Sequence, residues 1–173
     1  FYVGNSNPTP SADFSSGDLS ARGFRLDFPN DVWQGHVSYR ELGDEYDPAV
    51  GFVTRNGYRR VEPQIRWRPR APSVSWIRRF NFSAQLRNLS ALDTGRLEER
   101  QWQFTVFGMD FESGDNFSIN ATHQFDDLDY DFDIHDGILI QQGLYTNWQY
   151  SLRARTASRR RLSANVTVED EGF

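Results

Sequence analysis

Apolar and polar residues alternate with a period of two along most of this sequence, and no other feature constrains its fold as strongly. Between positions 24 and 28, for example, Phe24, Leu26 and Phe28 alternate with Arg25 and Asp27. A period of two is the repeat of a β-strand, whose successive side chains point to opposite faces, whereas a helix repeats every 3.6 residues. The pattern therefore predicts an all-β fold.

Eight segments carry the alternation, and each is a predicted strand. Their ranges are 22–28, 32–42, 59–69, 75–87, 99–111, 117–125, 144–155 and 160–168. Several reach the roughly 9–11 residues that a tilted strand needs to cross a bilayer, which is longer than most strands of soluble domains. We predict a single domain over 1–173: an antiparallel up-and-down meander of about eight strands, with a loop over 1–21 and the start of another over 169–173.

The predicted connections alternate in length. They are short at 29–31, 70–74, 112–116 and 156–159, and long at 43–58, 88–98 and 126–143. In an antiparallel meander this alternation places the short turns at one end of the sheet and the long loops at the other. Outer-membrane β-barrels have this asymmetry, whereas a Greek-key sandwich has no reason to produce it. The connections therefore favour a barrel, either a small complete one or an arc of a larger one.

Aromatic residues make up 15% of the chain. Many fall near the ends of the predicted strands, where the two aromatic girdles of a membrane barrel would lie. The predicted girdle contains Trp33, Trp67, Trp76, Trp102 and Trp148. The same rings could fill the core of a two-layer sandwich, so the aromatic content alone leaves that alternative open.

The alternation also predicts which residues of neighbouring strands share a face. We expect one apolar face to hold Phe80, Phe82, Ala84 and Leu86 of one strand with Trp102, Phe104 and Val106 of the next. In a barrel the opposite, polar face lines the lumen. The predicted lumen-lining residues are Arg66, Arg68, Gln85, Arg87, Gln103 and Arg153. Unpaired charge in a confined space is costly, so pairing of these arginines with carboxylates ranks above binding of an anionic solute.

Composition excludes several classes of protein. The chain has no cysteine, which excludes a disulfide scaffold and a thiolate metal site. Its net charge of −5 argues against a general nucleic-acid binder, because such proteins need a basic surface. No apolar run approaches the roughly 20 residues of a transmembrane helix. A strand-built membrane protein is compatible with all three observations.

The run from Trp33 to Pro69, WQGHVSYRELGDEYDPAVGFVTRNGYRRVEPQIRWRP, has a distinctive order of motifs. A strand is followed by Gly43-Asp44-Glu45-Tyr46-Asp47-Pro48, by Val50-Gly51-Phe52-Val53 with Arg55, and by Gly57-Tyr58 at the next strand. This run resembles a family of large bacterial outer-membrane proteins. Its members carry a carbohydrate-binding-like domain of the family 9 type, followed by a β-barrel domain of unknown function.

A second stretch resembles the same barrel domain. It contains Phe132-Asp133-Ile134, Gly137-Ile138 and Gly143-Leu144-Tyr145, with Gln141-Gln142 where the family usually has a proline before the last glycine. The resemblance touches most of the chain from about residue 22. It implies a location in the outer membrane of a Gram-negative bacterium, and it implies that an N-terminal domain and further strands of the barrel flank an excised segment. It implies no activity.

Two acidic loops are candidate calcium sites. One contains Asp44, Glu45 and Asp47, and the other contains Asp129, Asp131 and Asp133. Carboxylate oxygens are the ligands that Ca²⁺ prefers, but neither loop has the full spaced ligand set of a known calcium loop. A structured turn in the first loop and a solvated acidic loop in the second are the preferred interpretations, and no other cofactor is predicted.

No catalytic motif is present, so the sequence favours a protein that is not an enzyme. The three histidines lack the spacing of metal ligands, and no nucleophile elbow or phosphate loop occurs. The leading hypothesis is a barrel segment with a scaffold or solute-passage role, whose partners are outer-membrane lipid, further strands of the barrel and a solute or carbohydrate. The alternatives are a soluble β-sandwich that binds carbohydrate through exposed tryptophans, and part of a carbohydrate-active hydrolase.

Overall fold

The computed structural model describes residues 2–5, 19–47, 53, 55–135, 138–160 and 162–172. Within these ranges the chain forms β-strands joined by turns and loops, and none of them is helical. The strands are β1 (Tyr2–Asn5), β2 (Ser20–Phe28), β3 (Trp33–Leu42), β4 (Tyr58–Trp67), β5 (Ile77–Ala91), β6 (Leu97–Phe111), β7 (Asn116–Leu128), β8 (Phe132–His135), β9 (Ile138–Ile140), β10 (Gly143–Arg155) and β11 (Asn165–Glu171). No helix long and apolar enough to cross a membrane occurs among the described residues.

Nine of the strands form one antiparallel sheet in chain order, β1-β2-β3-β4-β5-β6-β7-β10-β11. β8 and β9 form a separate hairpin between β7 and β10. The predicted all-β meander is confirmed, because each of the eight predicted strands corresponds to one strand of the large sheet. The sheet is open, since β1 and β11 lie at opposite edges and do not pair with each other.

Three strands and several boundaries differ from the prediction. β1 lies in the predicted N-terminal loop, and the β8–β9 hairpin lies in the predicted loop 126–143, where frequent Asp residues obscure the alternation. The predicted long loop 88–98 is shorter, because β5 continues to Ala91 and β6 begins at Leu97. β11 begins at Asn165, so the turn before it is longer than predicted. The alternation of connection lengths is therefore weaker than the sequence indicates.

The register separates the apolar and polar residues onto opposite faces. Residues paired across an antiparallel ladder share a face. One apolar row crosses five strands, and each of its residues pairs with the next one in the order Ile65, Ala84, Phe104, Ala121 and Tyr150. One position along, a polar row crosses the same strands through Gln64, Gln85, Gln103, Thr122 and Gln149.

The predicted register of β5 and β6 is confirmed at its centre. Ala84 pairs with Phe104 and Leu86 pairs with Trp102. Val106 falls at a register shift between Thr105 and Phe107 in the pairing of β6 with β7. Such a bulge places an extra residue in one strand, and Phe107 therefore takes the ladder position that alternation assigned to Val106.

Few side chains of this sheet are buried. Four buried apolar residues form a cluster at the loop end of strands β2 to β5: Ala21, Leu42, Tyr58 and Leu89. Tyr46 and Val53, from the loop between β3 and β4, pack against it. In each of these strands the clustered residue alternates with residues of the apolar face. The cluster therefore lies on the polar face. It anchors one loop and leaves the apolar face uncovered.

Candidate functional site: the two faces of the sheet

The apolar face is exposed along its whole width. Leu26 is 69% exposed in β2, Ile65 53% in β4, Leu144 70% in β10 and Val168 60% in β11. Soluble monomers rarely expose contiguous apolar patches larger than a few hundred Å². The contacts of the described residues join each strand only to its ladder neighbours, and the β8–β9 hairpin contacts neither face. Within the described chain, nothing covers this surface.

Aromatic rings on this face form two groups. Near the short turns Trp33 stacks on Trp67 with ring centroids 5.6 Å apart, and Trp67 stacks on Phe82 at 5.3 Å. Nearer the long loops Trp148 contacts His123, with centroids 4.7 Å apart, and His123 pairs with Trp102 of β6. Ile65 and Ala84 lie between the two groups, in a row that also contains Phe104 and Tyr150, whereas Leu26, Val37 and Leu86 are level with Trp102.

The tryptophans of the predicted girdle lie at two levels of the sheet. Trp33, Trp67 and Trp76 lie at the short-turn end, where Trp76 stacks on Phe111 at 5.8 Å. Trp102 and Trp148 lie nearer the loops. Their contact with a membrane interface stays a prediction.

A groove of about 460 Å³ crosses the apolar face over β3 and β4. It exists because Gly35 has no side chain there and because Pro63 and Ala84 are small. A Cβ atom on Gly35 would lie 3.2 Å from the carbonyl oxygen of Gln64. The walls of the groove are apolar and include Leu26, Phe28, Val37, Ile65, Leu86 and Trp102.

On the polar face, amide and hydroxyl side chains line much of a cavity of about 410 Å³. Gln64 donates from its amide to Gln85 at 2.9 Å, and the Ser83 hydroxyl donates to Thr105 at 3.0 Å. An amide side chain has two donor hydrogens and a carbonyl oxygen with two lone pairs. One bond to a neighbour therefore leaves donors and acceptors of these side chains available to a solute.

Five of the six predicted lumen residues lie on this polar face. Arg66 pairs with Ser83, Gln85 pairs with Gln103, Arg87 pairs with Gln101, and Arg153 pairs with Ser118. Arg68 follows the last residue of β4, where alternation places it on the same side as Arg66. Trp67, between the two arginines, lies on the opposite face with Phe82. Whether the polar face lines a lumen stays a prediction.

The charged groups of the polar face are only partly paired. Arg87 donates from Nε to Glu62 at 2.6 Å, and Arg153 lies 3.2 Å from Glu169. Pairing with carboxylates, the interpretation preferred from the sequence, is confirmed for these two arginines. Arg66 and Arg68 make no salt bridge with the described residues, so for them the same interpretation stays a prediction. No feature of the sequence distinguishes the two cases.

Arginine bridges also connect the loop end of the sheet. Arg55 lies 2.5 Å from Glu98 and 2.9 Å from Glu99, and Arg96 binds Asp127 at 3.2 Å and Asp129. These bridges neutralise part of the acidic run that follows β7. They tie the loop after β3 and the turn between β5 and β6 to their neighbours.

The candidate calcium residues whose side chains are described are not gathered into a ligand cluster. Among the described residues, no three His, Asp or Glu side chains are arranged to hold a metal ion. Asp44 accepts a hydrogen bond from the Glu45 amide at 3.1 Å, and Asp131 accepts one from the Gln142 amide at 2.8 Å. Asp47 has an interaction within the chain, and the side chain of Asp133 lies outside the described part. The geometry offers no support for calcium.

A cross-link between two short turns was not predicted from the sequence. Asp115, in the turn between β6 and β7, accepts a hydrogen bond from the Ala157 amide at 2.8 Å and binds Arg160. Arg159 donates to the Ser113 carbonyl at 2.5 Å. The Ala157 amide, followed by the Ser113 hydroxyl, lowers the pKa of the Asp115 carboxyl. The run of arginines that precedes β11 is the sequence feature that could have indicated this cross-link.

No protein family, curated protein or solved structure matches this chain. What is established is therefore its class, an antiparallel all-β sheet with one apolar and one polar face. The resemblance to the outer-membrane barrel domain, which is carried by the motifs between Trp33 and Pro69, stays a prediction.

Proposed function

We propose that this chain is a segment of a bacterial outer-membrane β-barrel, in which the apolar face meets lipid and the polar face lines a water-filled passage for a solute. The observation that carries the proposal is the wide, exposed apolar face on one side of a single-layer meander, opposite a face that is mainly polar. A sheet in water would need a second layer to cover an apolar face of this width. Lipid is the occupant that fits it.

The aromatic residues and the strand lengths support lipid as that occupant. Rings gather near the short-turn end of the strands and again at the level of Trp102 and Trp148, and rings at two levels of an apolar face are compatible with the girdles of membrane barrels. β7 and β10 each contain 13 residues. At about 3.3 Å per residue and a tilt of about 45°, such a strand spans roughly the 30 Å of a bilayer core.

The open edges support a barrel with more strands than those described here. Exposed edges invite pairing with other chains, and a barrel removes them by closure. We propose that further strands of the same protein close the barrel, as the resemblance to the barrel domain next to a carbohydrate-binding-like domain implies. The chain's role is then that of a scaffold or of part of a solute passage in the outer membrane.

The test uses the intrinsic fluorescence of the 173-residue chain. All five tryptophans are grouped at the apolar side of the sheet or at its short-turn end, so lipids brominated along the acyl chain should quench them after insertion into vesicles. We expect quenching together with a change in gel mobility on boiling. A chain that stays monomeric in buffer without detergent and is not quenched would contradict the proposal and favour the carbohydrate-binding sandwich.

A further inference from the structure

Three arginines gather on the polar face at the short-turn end of β4 and β5. Arg66 lies in β4 opposite Ser83, and Arg68 follows the end of β4. Arg79 lies in β5, opposite Asp110 of β6. Burial, followed by the nearby charges of Arg79 and Arg66, lowers the pKa of Arg68. Arg70 forms a β-bridge with Arg79, so Arg68 lies between that pair and the pair of Arg66 with Ser83, and Arg66, Arg68 and Arg79 are neighbours in one basic cluster.

The carboxylates nearest to Arg66 and Arg68 are paired with other arginines. Asp110 lies 2.7 Å from Arg79, and Asp31 binds Arg70 at 2.5 Å. Arg66 and Arg68 make no salt bridge with the described residues. The Nε atom of Arg68 is buried and has no hydrogen-bond acceptor among the described residues. Buried donors are nearly always satisfied, and this one stays without an acceptor in the described part of the chain.

Neutral groups beside Arg66 complete the polar surroundings. Arg66, Gln64 and Ser83 line the same cavity of about 410 Å³ on the polar face. The Ser83 hydroxyl and the Gln64 amide each use one hydrogen in a bond to a neighbouring strand, which leaves the second amide hydrogen of Gln64 available. A planar guanidinium donates two parallel hydrogen bonds to an oxyanion.

We infer that Arg66 and Arg68, with the amide of Gln64, bind a soluble oxyanion, either a phosphate or a carboxylate. The cluster lies on the face opposite the exposed apolar surface, so the anion reaches it from water and a lipid headgroup does not. The inference goes beyond the proposed function, because the cluster exists on the polar face whatever covers the other face. If that face lines a passage, the site favours anionic solutes.

The test is a titration of the 173-residue chain with inorganic phosphate at constant ionic strength, followed by the side-chain Nε–Hε resonances of arginine in NMR spectra. We expect saturable shifts for Arg66 and Arg68 and smaller, linear shifts for Arg25, which is paired with Asp27 outside the cavity. Arg66→Gln should weaken binding at least tenfold. Arg25→Gln, the matched control on the same face, should change it less than twofold.

A second variant separates loss of the site from loss of the fold. Arg66→Lys keeps the positive charge but removes the bidentate guanidinium donor. This variant should fold like the parent chain and bind phosphate several-fold more weakly. Equal, unsaturable shifts at all polar-face arginines would overturn the inference, and so would binding of phosphatidylglycerol without binding of free phosphate. The titration works in buffer or in non-ionic detergent, so its result is independent of whether the chain enters a membrane.

Discussion

Arg87 donates a hydrogen bond of 2.6 Å to Glu62 at the point where the ladder between β4 and β5 is interrupted. The two strands pair on either side, at Val61 and Gln64, but not at Glu62 and Pro63. Proline has no backbone N–H and cannot donate to a ladder. The side-chain bond therefore joins the strands where the backbone does not, and Ser38 extends the link to β3 at 3.3 Å.

The first prediction concerns this bond. A double-mutant cycle with Glu62→Gln and Arg87→Met should give a coupling free energy of about 1–3 kcal/mol, because the bond is charge-assisted and the Glu62 side chain is only 14% exposed. The measurement is urea unfolding of the inserted chain, followed by tryptophan fluorescence. The control is the cycle for Arg153 and Glu169, which are more exposed and should couple by less than about 1 kcal/mol. Equal couplings would refute the special role of the interrupted ladder.

The second prediction tests which face meets lipid. Ile65→Arg and Gln64→Arg place the same side chain at neighbouring positions on opposite faces of β4. An arginine facing lipid near the midplane costs on the order of 2–4 kcal/mol, whereas one facing water costs little. We therefore expect Ile65→Arg to reduce the fraction of chain that folds into vesicles, as measured by gel mobility before and after boiling, and Gln64→Arg to leave it nearly unchanged. The reverse order would exchange the assignment of the two faces.

The third prediction concerns pH and the turn cross-link. The pKa of Asp115 is lowered by the Ala157 amide first and then by Ser113 and Arg160. Its carboxylate therefore stabilises the folded turns at any pH above the unfolded value of about 3.9, and this contribution is lost as the pH falls through the lower folded value. Hydrogen exchange at the Ala157 amide should accelerate over that acidic range relative to the intrinsic rate.

Asp115→Asn provides the control for the pH experiment. The amide keeps an oxygen acceptor for Ala157 but cannot titrate, so protection at Ala157 should lose its acid dependence in this variant. Acid-dependent protection that persists in Asp115→Asn would assign the effect to another group.

The fourth prediction concerns a close approach of β5 and β6. A Cβ atom on Gly108 would lie 3.0 Å from the Asn81 Cβ and 3.1 Å from the Asn81 carbonyl oxygen. Gly108→Ala should therefore lower the free energy of unfolding by about 1–3 kcal/mol through overpacking. Ser118→Ala, at the partner position in β7, should lower it by about 1 kcal/mol or less, since it removes one hydrogen bond from Asn120. A tolerated Gly108→Ala would show that the strands separate easily there.

The fold could be predicted from the sequence because its determinants are local. Alternation assigns each side chain to a face within its own strand, and strands joined by short connections pair with their sequence neighbours. That is why Phe104 and Trp102 could be predicted to share a face with Ala84 and Leu86, as they do. The end of β5 was missed because Asn88 breaks the apolar pattern while the backbone pairing continues.

The sequence by itself determined the fold class, the strand order and the two faces, all of which follow from the period of two. Only the tertiary structure decided which charges are paired, because that depends on the register between strands that lie far apart in the chain. Arg66 and Arg87 look equivalent as polar-face arginines. The register places Glu62 beside Arg87 and leaves Arg66 opposite Ser83, and this difference in neighbours makes one arginine a structural link and the other a candidate ligand site.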